Sequence, residues 1–340
     1  MRLLKKIGVA IVIAVVALVG VAYLLPRTVR VERSIVIDAP RATVFALVNG
    51  FRLFNKWSPW APLDPEARYT YEGPDSGAGA KMAWSGDPKK VGSGSQEIVE
   101  SRPPEMVRTQ LDFGDQGTAT ALFTLAGEGS GTKVTWGFDS DLGMNPMSRY
   151  FGLMMDRILG PLYEKGLASL KTLAEGMPKT DFAGLDVQVV DVEPVTVAYV
   201  PGSSARDAQA IGAAIGGAYA TVQKFMAAQS LKQAAAPITI NTKWDDTGYG
   251  FDAAIPVDRA PDQPAPAGSP VRIKQTYAGK ALKAVHRGAY HGMGTTYEKL
   301  FAYAAAHGYE QAGPSWDQYV TDPGKTAEAD LITHIYLPVR

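Results

Sequence analysis

The sequence predicts an α+β protein with an N-terminal transmembrane helix followed by two folded domains. Three observations predict this organisation. The chain of 340 residues has room for two ordinary domains, an uncharged apolar run occupies residues 7–25, and the remaining sequence mixes strand alternation with helical periodicity. We therefore expect a membrane anchor with short flanks over residues 1–29, a first domain over 30–177, a linker over 178–185 and a second domain over 186–340.

Composition excludes several classes of function. Lys+Arg and Asp+Glu are balanced at 34 each, and there is no cysteine. Because no basic cluster lies beyond the first six residues, the chain has no electrostatic footprint for nucleic acid, and we expect no nucleic-acid partner. The absence of cysteine excludes disulfides, thiol catalysis and Cys-ligated metals. No motif indicates a cofactor or a metal site.

The apolar run IGVAIVIAVVALVGVAYLL is followed directly by Pro26. At about 1.5 Å per residue it spans roughly 28 Å, close to the hydrocarbon thickness of a bilayer. A signal peptide cleaved at Gly20-Val21-Ala22 is the alternative, but the run is longer than a usual signal core and Arg27, Arg30 and Arg33 follow it. The basic residues before and after the run nearly cancel, so they determine orientation weakly. We expect a single-pass protein of the bacterial inner membrane with periplasmic soluble domains.

The first domain opens with a strand pattern at Val31–Ile37 and a helical pattern at Arg41–Asn49. Six further strand patterns separated by turn signals follow within about 80 residues, which predicts a continuous antiparallel sheet. These six patterns occupy residues 67–72, 80–84, 94–101, 106–113, 118–125 and 132–139. Pro146–Glu175 keeps the helical spacing of apolar residues, and we expect one long helix with a kink near Gly160.

This order of elements predicts a curved sheet that wraps one long C-terminal helix and leaves a cavity between them. It resembles the helix-grip fold of the START-like (SRPBCC, polyketide cyclase/dehydrase) superfamily. The resemblance covers the whole domain and rests on IDAPRATVFALV at 37–48, WSPW at 57–60, the Tyr-Glu-Gly turn at 71–73, GTKVTW at 131–136 and GLASLKTLAE at 166–175. It implies the fold more than the function, because members include lipid carriers, hormone receptors and cyclases.

Aromatic residues are the candidates for the wall of this cavity, and for each of them core packing is the alternative. The candidates are Trp57, Trp60, Trp84, Trp136 and Phe138. Aromatic walls suit an apolar ligand that gains from burial and needs few polar contacts. The domain contains neither His nor Cys, and no pair of carboxylates is spaced for acid/base work, so no catalytic residue is assigned. An Asp or Glu base stays open.

The second domain repeats a unit of strand, helix, strand and strand. The first half has a strand at Val187–Val200, a helix at Ala208–Ala228 and strands at Pro237–Asn241 and Tyr249–Val257. The second half has a strand at Val271–Arg287, a helix at Thr295–His307 and strands at Ser315–Thr321 and Leu331–Val339. We expect a pseudo-twofold α+β domain with its cleft between the halves, which the Pro- and Ala-rich residues 260–270 connect.

This pattern resembles the GyrI-like effector-binding domain, which is also found attached to AraC- and MerR-type regulators. The resemblance rests on KALKAVHRGAYHGMGTTYEKLFAY at 280–303, GPSWDQYVTDP at 313–323 and THIYLPV at 333–339. It implies a cleft for amphipathic small molecules, often aromatic or cationic. In that family the last strand usually reads Thr-Glu-Ile, with the glutamate facing the cleft, whereas this chain has His334. An imidazole that is mostly neutral weakens the expected preference for cations.

Seven residues of the second domain are candidates for its cleft: Tyr290, Tyr297, Trp316, Asp317, Tyr319, His334 and Tyr336. Core packing is the alternative for the aromatics, and a solvent-facing side chain is the alternative for the histidine. Together the two domains predict a membrane-anchored binding or sensing protein for small apolar or aromatic ligands, with one pocket in each domain. Two alternatives stay open: an enzyme (a cyclase, hydratase or hydrolase) and an envelope structural or chaperone-like protein.

Overall fold

The computed structural model describes residues 2–261 and 268–340, with side chains from Lys6 onward. The described chain divides into two compact units. The first unit comprises the residues up to Asp181 together with Ala306–Gly308, and the second unit comprises Phe182–Ala305 and Tyr309–Arg340. Each unit combines helices with one antiparallel sheet, so the α+β part of the prediction is correct. The predicted connection at residues 260–270 lies mostly outside the described residues.

The described residues of the first unit form five α-helices and seven strands. The helices are α1 (Arg2–Ala22), α2 (Arg41–Val48), α3 (Phe54–Trp57), α4 (Pro146–Gly152) and α5 (Met155–Glu175). The strands are β1 (Thr28–Ile37), β2 (Arg68–Glu72), β3 (Lys81–Ser85), β4 (Ser93–Arg102), β5 (Met106–Asp112), β6 (Thr118–Glu128) and β7 (Gly131–Asp141). The strand order is β1-β7-β6-β5-β4-β3-β2, as expected for a meander closed by its first strand.

The N-terminal helix α1 differs from the sequence prediction. It ends at Ala22, three residues before the apolar run does. Its uncharged part, Ile7–Ala22, measures roughly 24 Å at about 1.5 Å per residue, which is short of a hydrocarbon core of ~30 Å. In the described part of the chain, no helix is long and apolar enough to cross a membrane. The prediction of a transmembrane helix over residues 7–25 is therefore wrong. The periplasmic location of the two domains stays a prediction.

The end of α1 is fixed by hydrogen bonds from α4. The buried Arg149 donates from Nη1 to the carbonyl oxygens of Tyr23 at 3.1 Å and Leu25 at 3.3 Å. The Tyr150 hydroxyl donates to the carbonyl oxygen of Leu18 at 2.8 Å. A cation at the C-terminal end of a helix also complements the helix dipole. These bonds tie α4 to the C-terminal end of α1.

The long helix predicted at Pro146–Glu175 is two helices, α4 and α5, which are separated at Leu153 and Met154. Gly160 lies inside α5 and has a different role from the expected kink. A Cβ atom at Gly160 would lie 2.1 Å from Nη2 of Arg33. That guanidinium donates to Asp156 at 2.9 Å and to Glu164 at 2.8 Å. The glycine therefore makes room for an arginine that ties β1 to α5.

The described residues of the second unit form two long helices and eight strands. The helices are α6 (Ala208–Ala228) and α7 (Met293–His307). The strands are β8 (Val187–Val192), β9 (Thr196–Ser204), β10 (Ile238–Asp245), β11 (Gly248–Pro256), β12 (Arg272–Gln275), β13 (Gly279–Arg287), β14 (Trp316–Tyr319) and β15 (Ile332–Pro338). Their order in the sheet is β12-β9-β11-β10-β14-β15-β13-β8.

The sheet order shows the pseudo-twofold arrangement that the repeat predicted. Strands β9, β11 and β10 of the first half mirror β13, β15 and β14 of the second, and the halves meet where Thr239 of β10 pairs with Asp317 of β14. The strands predicted at Val187–Val200 and Val271–Arg287 are each broken in two. Pro194, which cannot donate to a ladder, lies in the first break. The leading pieces, β8 and β12, each pair with the edge of the opposite half.

Candidate functional site

The first unit contains a cavity of about 580 Å³ between its sheet and helices α3, α4 and α5. This volume lies in the range of small-molecule sites, about 300–1,000 Å³. The apolar lining residues are Phe54, Trp60, Met82, Trp84, Val91, Leu111, Phe113, Ala119, Phe138, Leu142, Met147, Phe151, Met155 and Leu159. The polar lining residues are Asn55, Ser58, Tyr69, Gln96, Gln116, Thr118, Ser140, Ser148 and Tyr163. No residue of this lining has a side chain that is charged at neutral pH.

Three of the five aromatic candidates of the first domain, Trp60, Trp84 and Phe138, line the cavity. The indole of Trp84 donates from Nε1 to the carbonyl oxygen of Val91 at 3.2 Å, and its ring meets Phe113 edge-on at 6.0 Å between centroids. These contacts fix the plane of the ring. The side chains of Trp60, Trp84 and Phe138 therefore line the same cavity.

The other two candidates, Trp57 and Trp136, lie in the core behind the wall, with 1% and 2% of their surface exposed. Trp136 stacks on Phe123 at 5.0 Å and on Tyr163 at 3.9 Å between centroids. Trp57 meets Phe54 edge-on at 4.9 Å. Since Tyr163 and Phe54 are lining residues, the two buried indoles support the wall without forming its surface.

Helix α4 lies at the mouth of the cavity. Met147 and Phe151 line the cavity and are 75% and 53% exposed, whereas Tyr163 of α5 lines it and is buried. Tyr163 therefore lies deep in the cavity, and α4 contributes to its rim together with the exposed lining residues Gln116 and Thr118.

Tyr163 and Gln96 are lining residues that the sequence analysis did not single out. Met155, Leu159 and Tyr163 recur every four residues, which places them on one face of a helix and could have indicated the tyrosine. Gln96 stands two residues before the buried Ile98, so the strand period places its amide on the inner face.

In the second unit, the seven candidates divide between the two faces of the sheet. Neighbouring residues of a strand point to opposite faces. Asp317 pairs with Ile335, which packs in the same apolar cluster as Leu300 of α7. Asp317 and Tyr319 therefore share the helix-covered face, and Trp316 lies on the other face.

Asp317 is only 4% exposed and forms the centre of a polar cluster under the helices. The Tyr297 hydroxyl donates to its Oδ1 at 2.7 Å, and Nδ2 of Asn241 donates to its Oδ2 at 3.3 Å. The Tyr249 hydroxyl in turn donates to Oδ1 of Asn241 at 2.6 Å. Burial raises the pKa of Asp317 to about 6, although the hydrogen bonds from Tyr297 and Asn241 act in the opposite direction. A carboxylate held in this way can accept a cation or a hydrogen-bond donor.

Two further candidates adjoin this cluster. The rings of Tyr290 and Tyr319 meet edge-on at 5.4 Å between centroids, and Tyr219 of α6 meets Tyr319 at 6.4 Å. Burial raises the pKa of Tyr297 and Tyr319 well above 10, so both hydroxyls stay protonated at neutral pH. Asn241, Tyr219 and Tyr249 complete the cluster, and the sequence analysis did not single them out.

On the opposite face, Trp316 and Tyr336 stack with 4.8 Å between centroids and 7° between planes. His334 lies beside them, with its ring 6.4 Å from that of Tyr336. Burial, together with the charges of Lys283 and Arg287, lowers the pKa of His334. Its imidazole is therefore neutral at pH 7, and it lies on the sheet face opposite the Asp317 cluster.

Several solved structures are similar to parts of this chain, whereas no curated protein matches it. The crystal structure of the EcmrR C-terminal domain is 16% identical and covers 46% of this chain and 98% of its own, with a TM-score of 0.41. The crystal structure of a hydrolase from Listeria innocua is 14% identical and covers 46% and 92%, with a TM-score of 0.35. The solution structure of the Aha1 dimer from Colwellia psychrerythraea is 16% identical and covers 44% and 97%, with a TM-score of 0.31.

Two family models match the chain, one in each unit. The model for polyketide cyclase / dehydrase and lipid transport matches residues 28–175. The model for the GyrI-like small molecule binding domain matches residues 185–340. Both resemblances predicted from the motifs are confirmed, in the predicted order. The first unit thus matches the polyketide cyclase / dehydrase and lipid transport family, and the second unit matches the GyrI-like small molecule binding domain, each over less than half of the chain.

Proposed function

We propose that the first unit binds a small, largely apolar molecule in the cavity between its sheet and helices. The observation that carries this proposal is the cavity of about 580 Å³ with an uncharged, mainly apolar and aromatic lining. Burial of apolar ligand surface contributes about 25 cal/mol per Å², and offset or edge-on aromatic contacts add to it. The family of this unit, which includes lipid transport in its description, supports the same class of ligand.

The cavity favours binding over catalysis. A general base must lose its proton near the working pH, and the ionisable side chains of the lining are the tyrosines Tyr69 and Tyr163. Burial raises the pKa of both Tyr69 and Tyr163 above the ordinary value of 10. Both therefore stay protonated at neutral pH and act as hydrogen-bond donors.

The second unit supplies a separate binding site at the Asp317 cluster. The buried carboxylate with its tyrosine and asparagine partners suits a ligand that has a cationic or hydrogen-bond-donating group on an aromatic body. The description of this unit's family as small molecule binding supports the proposal. A chain with two such sites fits a protein that senses small molecules.

Filling the cavity is expected to abolish the first site. Ala119 lines the cavity and is buried, so the ring of Ala119→Phe occupies ligand space. We expect a calorimetric titration with naphthalene to show saturable binding to the unaltered chain and an affinity at least about tenfold lower in the variant, which corresponds to about 1.4 kcal/mol.

Ala126→Phe is the matched control for this titration. Ala126 lies on the same strand, β6, but is exposed and outside the lining. Its replacement is expected to leave the affinity unchanged. Equal affinities of the unaltered chain and Ala119→Phe, or no saturable binding to the unaltered chain, would remove the basis for the proposed function.

A further inference from the structure

Gln96 of β4 is a buried amide in an otherwise apolar stretch of the cavity wall. It lines the cavity and is 8% exposed. Its partners on the neighbouring strands are Met82 of β3 and Leu111 of β5, and both of these also line the cavity. A row of inner-face residues across three strands therefore has one polar group at its centre.

The side-chain amide of Gln96 makes no hydrogen bond to another described residue. The hydroxyl of Ser140, another polar lining residue, donates to the carbonyl oxygen of Thr118 at 3.1 Å. The Nδ2 atom of Asn55 donates to the Tyr71 hydroxyl at 3.5 Å, although its Oδ1 atom is buried without a partner. The Gln96 amide therefore has both its donor, Nε2–H, and its acceptor, Oε1, available to a ligand. The amide faces the cavity, so a ligand that has a hydrogen-bonding group can pair with it.

The geometry points to Gln96 as the residue that selects the ligand of the first unit by its head group. The ligand class is an apolar, aromatic body that has one neutral hydrogen-bonding group, such as a carbonyl, a carboxamide or a hydroxyl. The inference rests on the proposed function, because it names the kind of molecule that the same cavity takes. Gln96 is a specificity-determining contact in this arrangement.

A charged head group does not fit this wall. The lining provides no side chain of opposite charge, so a carboxylate or an ammonium group would lose its hydration without an ionic partner. A fully apolar molecule fits the volume but leaves the amide of Gln96 unsatisfied. A neutral polar group near one end of the ligand satisfies the amide and keeps the remaining wall in apolar contact.

Four probes with the same ring system test the inference: naphthalene, 2-acetylnaphthalene, 2-naphthoate and 2-naphthylmethylammonium, each titrated calorimetrically into the full chain at pH 8. We expect the acetyl compound to bind about fivefold more tightly than naphthalene, as one net hydrogen bond provides. We expect both ions to bind more weakly than naphthalene. In Gln96→Leu the acetyl preference should vanish while the affinity for naphthalene stays within about twofold.

Two further variants make the outcome specific. Gln96→Glu should make the ammonium probe the tightest of the four, because the new carboxylate supplies its ionic partner. Glu97→Leu should keep the order of the unaltered chain, because Glu97 is exposed, points to the other face of β4 and lies outside the lining. An acetyl preference that persists in Gln96→Leu would overturn the assignment of Gln96. If naphthalene itself does not bind, the proposed function fails, and the inference fails with it.

Discussion

Trp57→Ala is expected to lower the free energy of unfolding of the first unit by about 3–5 kcal/mol, the usual cost of removing a large core aromatic. The indole is 1% exposed and meets the rings of Phe54, Phe123 and Trp136 at 4.9, 6.0 and 5.6 Å between centroids. Its Nε1 atom has no hydrogen-bond partner among the described residues, so the loss comes from packing. Urea unfolding followed by circular dichroism measures it.

Trp84→Ala is the matched comparison, because Trp84 is partly exposed and faces the cavity. We expect it to cost about 1–2 kcal/mol of stability and to weaken the binding of naphthalene. The two substitutions therefore separate a supporting indole from a lining indole. Equal losses of stability in the two variants would contradict the placement of Trp57 behind the wall.

The stability of the second unit is expected to fall by about 3 kcal/mol as the pH rises from about 4 to about 7, through the titration of Asp317. Burial raises the pKa of this carboxyl from the usual 3.8 to about 6 in the folded chain. Between these values the unfolded chain has released the proton and the folded chain still holds it, so raising the pH favours unfolding. A difference of about two pKa units corresponds to about 3 kcal/mol, to order of magnitude.

Urea unfolding of the second unit between pH 4 and pH 7.5 measures this dependence. In Asp317→Asn the contribution should disappear, because the amide does not titrate in this range. Asp191→Asn is the control: Asp191 is exposed and outside the cluster, and the fall in stability should persist. The opposite result would be a stability of the unaltered chain that rises between pH 4 and pH 6, with the rise lost in Asp317→Asn. That result would contradict the raised pKa, because it would mean that the fold stabilises the carboxylate of Asp317.

The fold of each unit was largely predictable from local pattern. The helix predicted at Ala208–Ala228 has the same bounds in the structure, where the side chain of Asp207 caps it by accepting from the backbone N–H of Ala210 at 2.9 Å. The antiparallel meander followed from strand patterns separated by turn residues. Alternation and capping act over a few residues, so the sequence expresses them directly.

Features that depend on distant contacts were not predictable in this way. At the end of α1, the carbonyl oxygen of Ala22 accepts a hydrogen bond from Arg149, more than 120 residues away in the chain. The role of Gly160 depends on the guanidinium of Arg33. Neither interaction leaves a periodic signal, and the apolar run and the Gly-Pro pair each suggested a different local structure.

The candidate sites show the same limit. Trp57 ends α3 and Trp60 lies in the turn beyond it, so only two residues separate a core indole from a lining one. Trp316 and Asp317 are neighbours on β14 and point to opposite faces. Both faces of that strand are partly buried, so hydrophobicity does not tell which face the helices cover. The sequence indicated which types of side chain form each site. Which of these side chains face the cavity or the helices depends on tertiary packing, which the sequence pattern does not show.

A crystal of the chain under xenon pressure tests most directly whether the first unit is hollow. Xenon enters apolar cavities that water does not fill. We expect xenon atoms between Trp60, Trp84 and Phe138, and lower occupancy there in Ala119→Phe. Side chains of the protein filling that volume, with no xenon bound inside the first unit, would contradict the proposed function.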